Sequence, residues 1–245
     1  MSDMGECGER GVMTRRAMLL TMPALAVAPR LFALQQAAPL RIRGLNQVTL
    51  AVSDLERSLD FYQAVFGMPV QARRPGTIIL RIGPGPRFLA LTEAGSAPPR
   101  IDHFGMAVED FDVDRVVRAL GEHGVARGSG GDGLSGGAMN VRVTSRGDTR
   151  EVHVGDPDGL VFQLQDPGYC GGDGPLGDQC MAAEPAPGPG SLTPLGLSHF
   201  TINVTDPTRT NAFYQQAFGF GIQAMQAAAP ALDVGTGDHF LMFIA

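Results

Sequence analysis

One stretch of this chain occurs twice, and the second copy keeps the register of the first. Residues 47–91 return as residues 199–243, so matched positions are always displaced by 152 residues (199 − 47). A register that holds without a gap indicates a duplicated supersecondary unit. A fainter copy, which starts at His103, lies between the two. The identical pairs include Val52 and Val204, Asp54 and Asp206, Arg57 and Arg209, Phe61 and Phe213, Tyr62 and Tyr214, Gln63 and Gln215, Phe66 and Phe218, Gly67 and Gly219, Phe88 and Phe240, and Leu89 and Leu241.

Each copy opens with the pattern of a strand followed by a helix. In the first copy the alternation of Val48, Leu50 and Val52 predicts a half-buried strand. Asp54 is then placed to cap a helix, and Gly67 offers the left-handed residue that ends one. Short strands are predicted over 77–82 and 87–92 in this copy, and over 141–144, 150–154 and 160–165 in the fainter copy. The repeating unit is therefore βαβββ.

The last two strands of the fainter copy are separated by Asp156-Pro157-Asp158-Gly159. This sequence is typical of a hairpin turn, with Gly where a positive φ is needed. A single βαβββ unit would leave one apolar sheet face exposed, so each unit needs a partner.

These features resemble the vicinal-oxygen-chelate superfamily, which includes glyoxalase I, extradiol dioxygenases and bleomycin-resistance proteins. The residues that carry the resemblance are the strand-Asp-helix opening, the Phe-Tyr…Phe-Gly helix end and the Asp-Pro-Asp-Gly turn. The resemblance implies an α+β fold, in which paired βαβββ units form a cupped mixed sheet around a metal or ligand cavity. It further implies one complete domain over residues 44–166, a Gly/Pro-rich linker over 167–194, and the first half of a second such domain over 195–245. The half-domain predicts either a chain that continues into a fourth unit or a homodimer.

The resemblance also implies where metal ligands would lie. In the first domain these positions hold Gln47, His103 and Gln163, and in the half-domain the matching first-strand position holds His199. Two histidines and one carboxylate form the usual open-sided Fe(II) site, whereas Gln is neutral. Two readings stay open for the first domain: a divalent ion (Fe, Mn, Zn or Ni), or no metal. His103 is otherwise an ordinary strand histidine, and His153 is a weaker candidate for the cavity.

The function implied by the resemblance is a metal-dependent dioxygenase or lyase that acts on a small oxygen-rich molecule. The alternative is a metal-free small-molecule-binding protein of the bleomycin-resistance type. Four arginines are candidates for contact with an anionic substrate, with solvated surface positions as the alternative; they are Arg73, Arg74, Arg87 and Arg150. The chain has a net charge of −6 and contains no Lys, which argues against nucleic acid as a partner.

The N-terminus indicates export. Residues 14–20 (Thr-Arg-Arg-Ala-Met-Leu-Leu) resemble the twin-arginine motif, so residues 1–38 are predicted to be a signal peptide and the protein periplasmic or secreted. The alternative is an N-terminal extension of a cytoplasmic protein. Arg30 and two prolines shorten the apolar run below the length of a membrane span. After cleavage Cys170 and Cys180 would remain, and an oxidising compartment favours a disulfide over two free thiols.

Overall fold

The structure is a computed structural model, and it describes residues 40–128, 133–235 and 239–245. The predicted signal peptide at residues 1–38 lies outside the described residues. In chain order the elements are β1 (Ile42–Val52), α1 (Leu55–Phe66), β2 (Val70–Arg74), β3 (Thr77–Arg81), β4 (Phe88–Glu93), β5 (Arg100–Val108), α2 (Val113–Glu122), β6 (Ala126–Arg127), β7 (Asn140–Arg146), β8 (Thr149–Gly155), β9 (Val161–Gln165), β10 (His199–Asn203), α3 (Pro207–Phe218), β11 (Ile222–Gln226), β12 (Ala229–Asp233) and β13 (Phe240–Ile244).

The helix ends follow the repeated sequence. A side-chain oxygen of Asp54 accepts a hydrogen bond from the backbone N of Arg57 at 3.0 Å, and Asp206 caps α3 in the same way. Gly67 ends α1 in the left-handed region with φ of 61°. These are the N-cap and the C-terminal glycine that the sequence predicts.

Two βαβββ units, the first from β1 to β4 and the second from β5 to β9, share one sheet, which confirms the predicted α+β fold. Within the described residues this sheet has nine strands in the order β2-β3-β4-β1-β5-β9-β8-β7-β6. β1 lies at its centre, parallel to β4 and antiparallel to β5. In the second unit β5 is parallel to β9 in the same way. Strand β2 was not predicted from the sequence, because Val-Gln-Ala-Arg-Arg has little alternation.

The prediction that the first strand is half-buried is wrong for β1, which is buried on both faces. On the outer face Val48 belongs to a core cluster against which Leu55 and Phe66 of α1 also pack. On the inner face the polar side chains of Gln47 and Thr49 are also buried. The inner face is enclosed because a later segment, residues 167–184, crosses it.

The third unit, from β10 to β13, repeats the hydrogen-bond register of the first. β10 pairs in parallel with β13, and His199 lies opposite Phe240. In the first unit Gln47 lies opposite Phe88, so both members of the pair are displaced by 152 residues (199 − 47 and 240 − 88). The described strands of this second sheet are ordered β10-β13-β12-β11, which leaves β10 at an edge.

Helix α3 joins the third unit to the second through an aromatic cluster. The ring of Phe162 on β9 lies 5.6 Å from that of Tyr214 and 5.8 Å from that of Phe218, measured between centroids. These three residues belong to one buried core that contains residues of both units. The contact buries the outer face of the sheet and leaves its concave face free for another role.

The predicted Asp-Pro-Asp-Gly turn is present between β8 and β9. One carboxylate oxygen of Asp156 accepts hydrogen bonds from the backbone N atoms of Asp158 and Leu160, and Gly159 has φ of 83°. The turn also holds the third unit, a role that the sequence did not indicate. The carboxylate of Asp158 accepts hydrogen bonds from the hydroxyl groups of Thr205 and Thr210.

The helices in the described part of the chain are 12 residues long at most, and none is long and apolar enough to cross a membrane.

Candidate functional site

A cavity of about 240 Å³ lies on the concave face of the nine-stranded sheet. Side chains alternate along a strand, so every second residue of the central strands points into it. Because β1 and β5 pair at the centre, the cavity receives side chains from both units. Its lining residues are Gln47, Thr49, Arg74, Thr77, Ile79, Phe88, Ala90, Thr92, Asp102, His103, Leu134, Thr144, Glu151, His153, Gln163 and Tyr169.

At the base of the cavity two glutamine side chains are hydrogen-bonded to each other. Nε2 of Gln47 donates to Oε1 of Gln163 at 2.6 Å, and both side chains are buried. Both residues flank Gly105 across the sheet. A Cβ atom at Gly105 would lie 2.5 Å from Cγ of Gln47, so the pair depends on a residue without a side chain at this position.

His103 lies beside this pair with both ring nitrogens engaged. Its Nε2 is 3.1 Å from Oγ1 of Thr49, and its Nδ1 is 3.0 Å from a carboxylate oxygen of Asp102. Asp102 also accepts a hydrogen bond from Arg100 at 2.8 Å. The hydrogen bond to His103 lowers the pKa of Asp102, against the effect of partial burial.

His153 is the second imidazole of the cavity. It pairs with Gln163 across the sheet, and its ring stands edge-on to that of His103 with centroids 5.4 Å apart. It is 3% exposed, and its Nδ1 has no hydrogen-bond partner within the described part of the chain. Burial, and then the neighbouring His103, lower the pKa of His153 to about 4. At neutral pH it is therefore an uncharged group.

Glu151 lies two residues before His153 on the same face of β8. One oxygen of its carboxylate accepts hydrogen bonds from Nε of Arg146 at 3.0 Å and from the hydroxyl of Tyr169 at 2.8 Å. Burial alone would raise the pKa of Glu151, but these two hydrogen bonds lower it. Strand alternation from His153 could have indicated Glu151, whereas nothing in the sequence pointed to Tyr169 or Asp102.

Residues 167–184, here called the crossing segment, run from the end of β9 over the concave face to β2. The carbonyl oxygen of Tyr169 accepts a hydrogen bond from Nδ2 of Asn46, and the Tyr169 ring lies 5.9 Å from that of Phe88. Glu184 then forms a β-bridge with Val70. Since the hydroxyl of Tyr169 also donates to Glu151 on β8, the crossing segment touches both units, and Tyr169 lines the cavity.

Within the crossing segment Cys170 and Cys180 form a disulfide, which confirms the pairing favoured from the sequence. Two hydrogen bonds tie the enclosed loop to β7 and β8. Arg146 donates to the carbonyl oxygen of Gly172 at 2.7 Å, and the hydroxyl of Thr149 donates to the carbonyl oxygen of Gly174. The disulfide thus fixes a loop that adjoins Tyr169.

The residues at the predicted metal-ligand positions do not fit a divalent ion as they stand. Gln47 and Gln163 supply no charge and bond to each other, and both nitrogens of His103 are in hydrogen bonds. Divalent cations favour anionic oxygen or free imidazole ligands. In the described ranges 40–128, 133–235 and 239–245, no three His, Cys, Asp or Glu side chains converge as metal ligands.

His199, the fourth predicted ligand, does not line this cavity. It is exposed on the edge strand β10, where its ring stacks on Phe240 with centroids 4.4 Å apart. The structure therefore brings together three of the four predicted residues and leaves His199 apart. The assignment of these four as metal ligands stays a prediction.

Comparison with known proteins gives one family match and several relatives. Residues 44–164 match the model of the glyoxalase/bleomycin resistance protein/dioxygenase superfamily. A trivalent organoarsenical cleaving enzyme from Thermomonospora curvata is 37% identical over 122 residues, which are 47% of this chain and 81% of that protein. A glutathione transferase, FosA, from Serratia marcescens is 28% identical over 134 residues, 53% of this chain and 94% of that one.

Solved structures resemble the fold over a longer stretch. The Mn(II)-bound glyoxalase from Novosphingobium aromaticivorans has a TM-score of 0.60 at 17% identity, covering 84% of this chain and 62% of its own. An extradiol ring-cleaving dioxygenase from B. fuscum has a TM-score of 0.59 at 17% identity, covering 84% and 55%. This chain thus spans between about half and two thirds of their lengths. At this identity the likeness concerns the fold alone.

Proposed function

Because the chain belongs to the glyoxalase/bleomycin resistance protein/dioxygenase superfamily, we propose that its nine-stranded sheet binds a small molecule in the concave cavity without a metal ion. The observation that carries this proposal is the hydrogen bond between Gln47 and Gln163. In this family the two positions are where ligands to a metal are expected. Here they hold amides that are hydrogen-bonded to each other.

The chemistry of the amide pair supports ligand binding in place of metal binding. A divalent ion in a buried site needs ligands that neutralise its charge, because burying an uncompensated charge is costly. Two neutral amides and a histidine that is already hydrogen-bonded do not supply this. An amide oxygen and an amide N–H are, in contrast, suitable partners for the carbonyl and hydroxyl groups of an organic ligand.

Several buried polar atoms around the cavity also lack partners. Nε2 of Gln163, Nδ1 of His153 and Nη2 of Arg74 are buried without a hydrogen bond to any described residue. Buried polar groups are nearly always paired in native proteins, and those left over at a cavity are commonly satisfied by water or ligand. These atoms favour a polar, oxygen-rich ligand.

The proposal is tested on the intact protein by metal analysis and by binding before and after chelation. We expect substoichiometric Fe, Mn, Zn and Ni, an unchanged melting temperature in EDTA, and EDTA-insensitive binding of at least one compound from a panel of small oxygen-rich molecules. Gln163→Leu should abolish that binding. Gln165→Leu is the matched control, since Gln165 is equally buried on β9 but does not line the cavity. Stoichiometric metal, or binding that disappears with EDTA, would refute the proposal.

A metal-dependent dioxygenase or lyase is the second candidate, and the 37% identity to a named cleaving enzyme favours it. Its metal would need a donor set other than the amide pair. His199 on the edge of β10 would have to be completed by another strand, either from a fourth unit or from a second copy of the chain. Turnover of catechol or methylglyoxal by the metal-loaded protein, lost in His199→Ala, would establish this candidate. Sedimentation would show whether the active form is a dimer.

We also propose that the protein is exported. The twin-arginine-like sequence at residues 14–20 and the disulfide between Cys170 and Cys180 support export, because disulfides persist in oxidising compartments. Cell fractionation with N-terminal sequencing tests it. Recovery from the cytoplasm with Met1 intact would contradict it.

A further inference from the structure

The cavity contains more than one charged side chain, and most of them are already neutralised. The carboxylate of Asp102 is held by Arg100 and His103. The carboxylate of Glu151 is held by Arg146 and by the hydroxyl of Tyr169. Neither carboxylate is therefore left to attract a cation from solution.

Arg74 is the exception among the lining residues. It forms no ion pair with any residue in the described part of the chain, although it is half-buried and its Nη2 has no hydrogen-bond partner. Glu151, the cavity carboxylate whose charge acts on Arg74, is already paired with Arg146. Burial, and then the positive charge of Arg146, lower the pKa of Arg74, and the neighbouring Tyr169 and Glu151 offset this only in part. A partly desolvated guanidinium without a counter-ion is a site for an anion.

We infer that the cavity takes a small organic monoanion, whose carboxylate or equivalent oxyanion is held by Arg74 and whose apolar body lies against Ile79, Phe88 and Ala90. This inference rests on the proposed function and narrows it to one class of ligand. A guanidinium donates two parallel N–H bonds to a carboxylate, which gives both charge neutralisation and orientation.

The two units line the cavity differently, and this asymmetry fits such a ligand. From the first unit, strands β3 and β4 contribute Ile79, Phe88 and Ala90, which form an apolar cluster together with the ring of Tyr169. From the second unit, β8 and β9 contribute His153 and Gln163, which are uncharged and retain unpaired polar atoms. The ligand would thus place its apolar body on the first unit and a neutral carbonyl or hydroxyl group towards the second.

The size of the cavity limits the ligand further. At about 240 Å³ it is smaller than the pockets of about 300–1,000 Å³ that hold drug-sized molecules. A single ring or a short chain with one carboxylate fits this volume. Benzoate and benzamide are suitable probes, because they have nearly the same shape and differ in charge.

The test measures the affinity of both probes by calorimetry at low ionic strength, on the intact disulfide-bonded protein in EDTA. For the unmodified protein we expect benzoate to bind at least tenfold more tightly than benzamide. Arg74→Gln should bring the two affinities within threefold of each other, and Arg74→Lys should retain part of the preference. Arg73→Gln is the matched control, since Arg73 precedes Arg74 on β2 and does not line the cavity. Its side chain pairs with the exposed Glu184 instead. This variant should keep the full preference.

The results separate this inference from the proposed function. Equal binding of benzoate and benzamide, failure of both to bind, or a preference that survives Arg74→Gln overturns the assignment of an anion to Arg74. Metal-free binding of other compounds would then still support the proposed function. Benzoate binding that requires an added metal refutes the proposed function, and the Arg74→Gln comparison repeated with metal decides the anion site separately.

Discussion

Replacing the buried amide pair with ionisable ligands should convert the cavity into a divalent-metal site. The double substitution Gln47→His with Gln163→Glu, beside His103, provides two imidazoles and one carboxylate, the donor set of many non-haem iron sites. The amide atoms of Gln47 and Gln163 are 2.6 Å apart, so side chains of similar length at these positions should also converge. Metal affinity created by these two substitutions would show that the two amides prevent metal binding in the unmodified protein.

The structure gives the expected magnitudes. Gln163 is 2% exposed, and Gln163→Glu alone buries a carboxylate whose described donor is Nε2 of Gln47. We expect this single variant to lose about 2–3 kcal/mol of unfolding free energy near pH 7.5. To bind a metal, His103 must release its contact with Thr49, at a cost of about 1 kcal/mol. Metal at 100 times its Kd stabilises the folded state by about 2.7 kcal/mol, or roughly 5–10 °C in melting temperature.

The assay is thermal unfolding by circular dichroism with Mn²⁺, Zn²⁺ or Ni²⁺, followed by EDTA and by metal analysis of the dialysed protein. The unmodified protein and each single variant are the controls, and we expect no comparable shift in the unmodified protein. An equal, EDTA-reversible shift in the unmodified protein would refute the reasoning, because the amide pair would then already hold a metal. A folded double variant with no shift would show that the three side chains do not converge.

Three further predictions concern stability. Tyr214→Ala should lower the free energy of unfolding in urea by about 3–5 kcal/mol, because it leaves a cavity in the core between the second and third units. Phe61 is exposed, so Phe61→Ala is the control and should change this free energy by less than about 0.5 kcal/mol. Burial raises the pKa of Asp156 to about 6, so the folded state binds a proton more tightly than the unfolded state does. This proton stabilises the fold at low pH, and the stabilisation is lost as pH rises through about 6. The unfolding free energy relative to Asp156→Asn should therefore fall by up to about 3 kcal/mol from pH 4 to 7.5, and a pH-independent difference would contradict this. Loss of the disulfide through Cys170→Ser with Cys180→Ser should cost about 2–4 kcal/mol, and dithiothreitol should destabilise the unmodified protein but not this variant.

Much of the fold could be predicted because its signals are local. Asp54 and Gly67 act on backbone groups within a few residues of themselves, so a helix start and stop can be read from sequence alone. Strand β2 escaped prediction because it is held by pairing with β3 and by Glu184 of the crossing segment, and its own residues alternate little. The enclosure of β1 on both faces depends on the same distant segment.

The candidate site was only partly predictable. Gln47, His103 and Gln163 were identified through the family resemblance, and the structure places all three in one cavity. Tyr169 was missed because its role depends on a hydrogen bond to Glu151 that forms only when the crossing segment lies over the sheet, whereas strand alternation from His153 could have indicated Glu151. A tyrosine in a Gly-rich stretch carries no local signal of such a contact.

That this chain is built from three related βαβββ units can be predicted from local sequence, since a register of 152 residues, the repeated caps and the turn at residues 156–159 are properties of short segments. How the units are used depends on the tertiary structure. It brings Gln47 and Gln163, 116 residues apart, into one hydrogen bond, and it leaves Nη2 of Arg74 without a hydrogen-bond partner among the described residues. The physical reason is that capping and alternation act within a few residues. Charge compensation and hydrogen-bond satisfaction in a cavity depend on which distant strands and segments the folded sheet brings together.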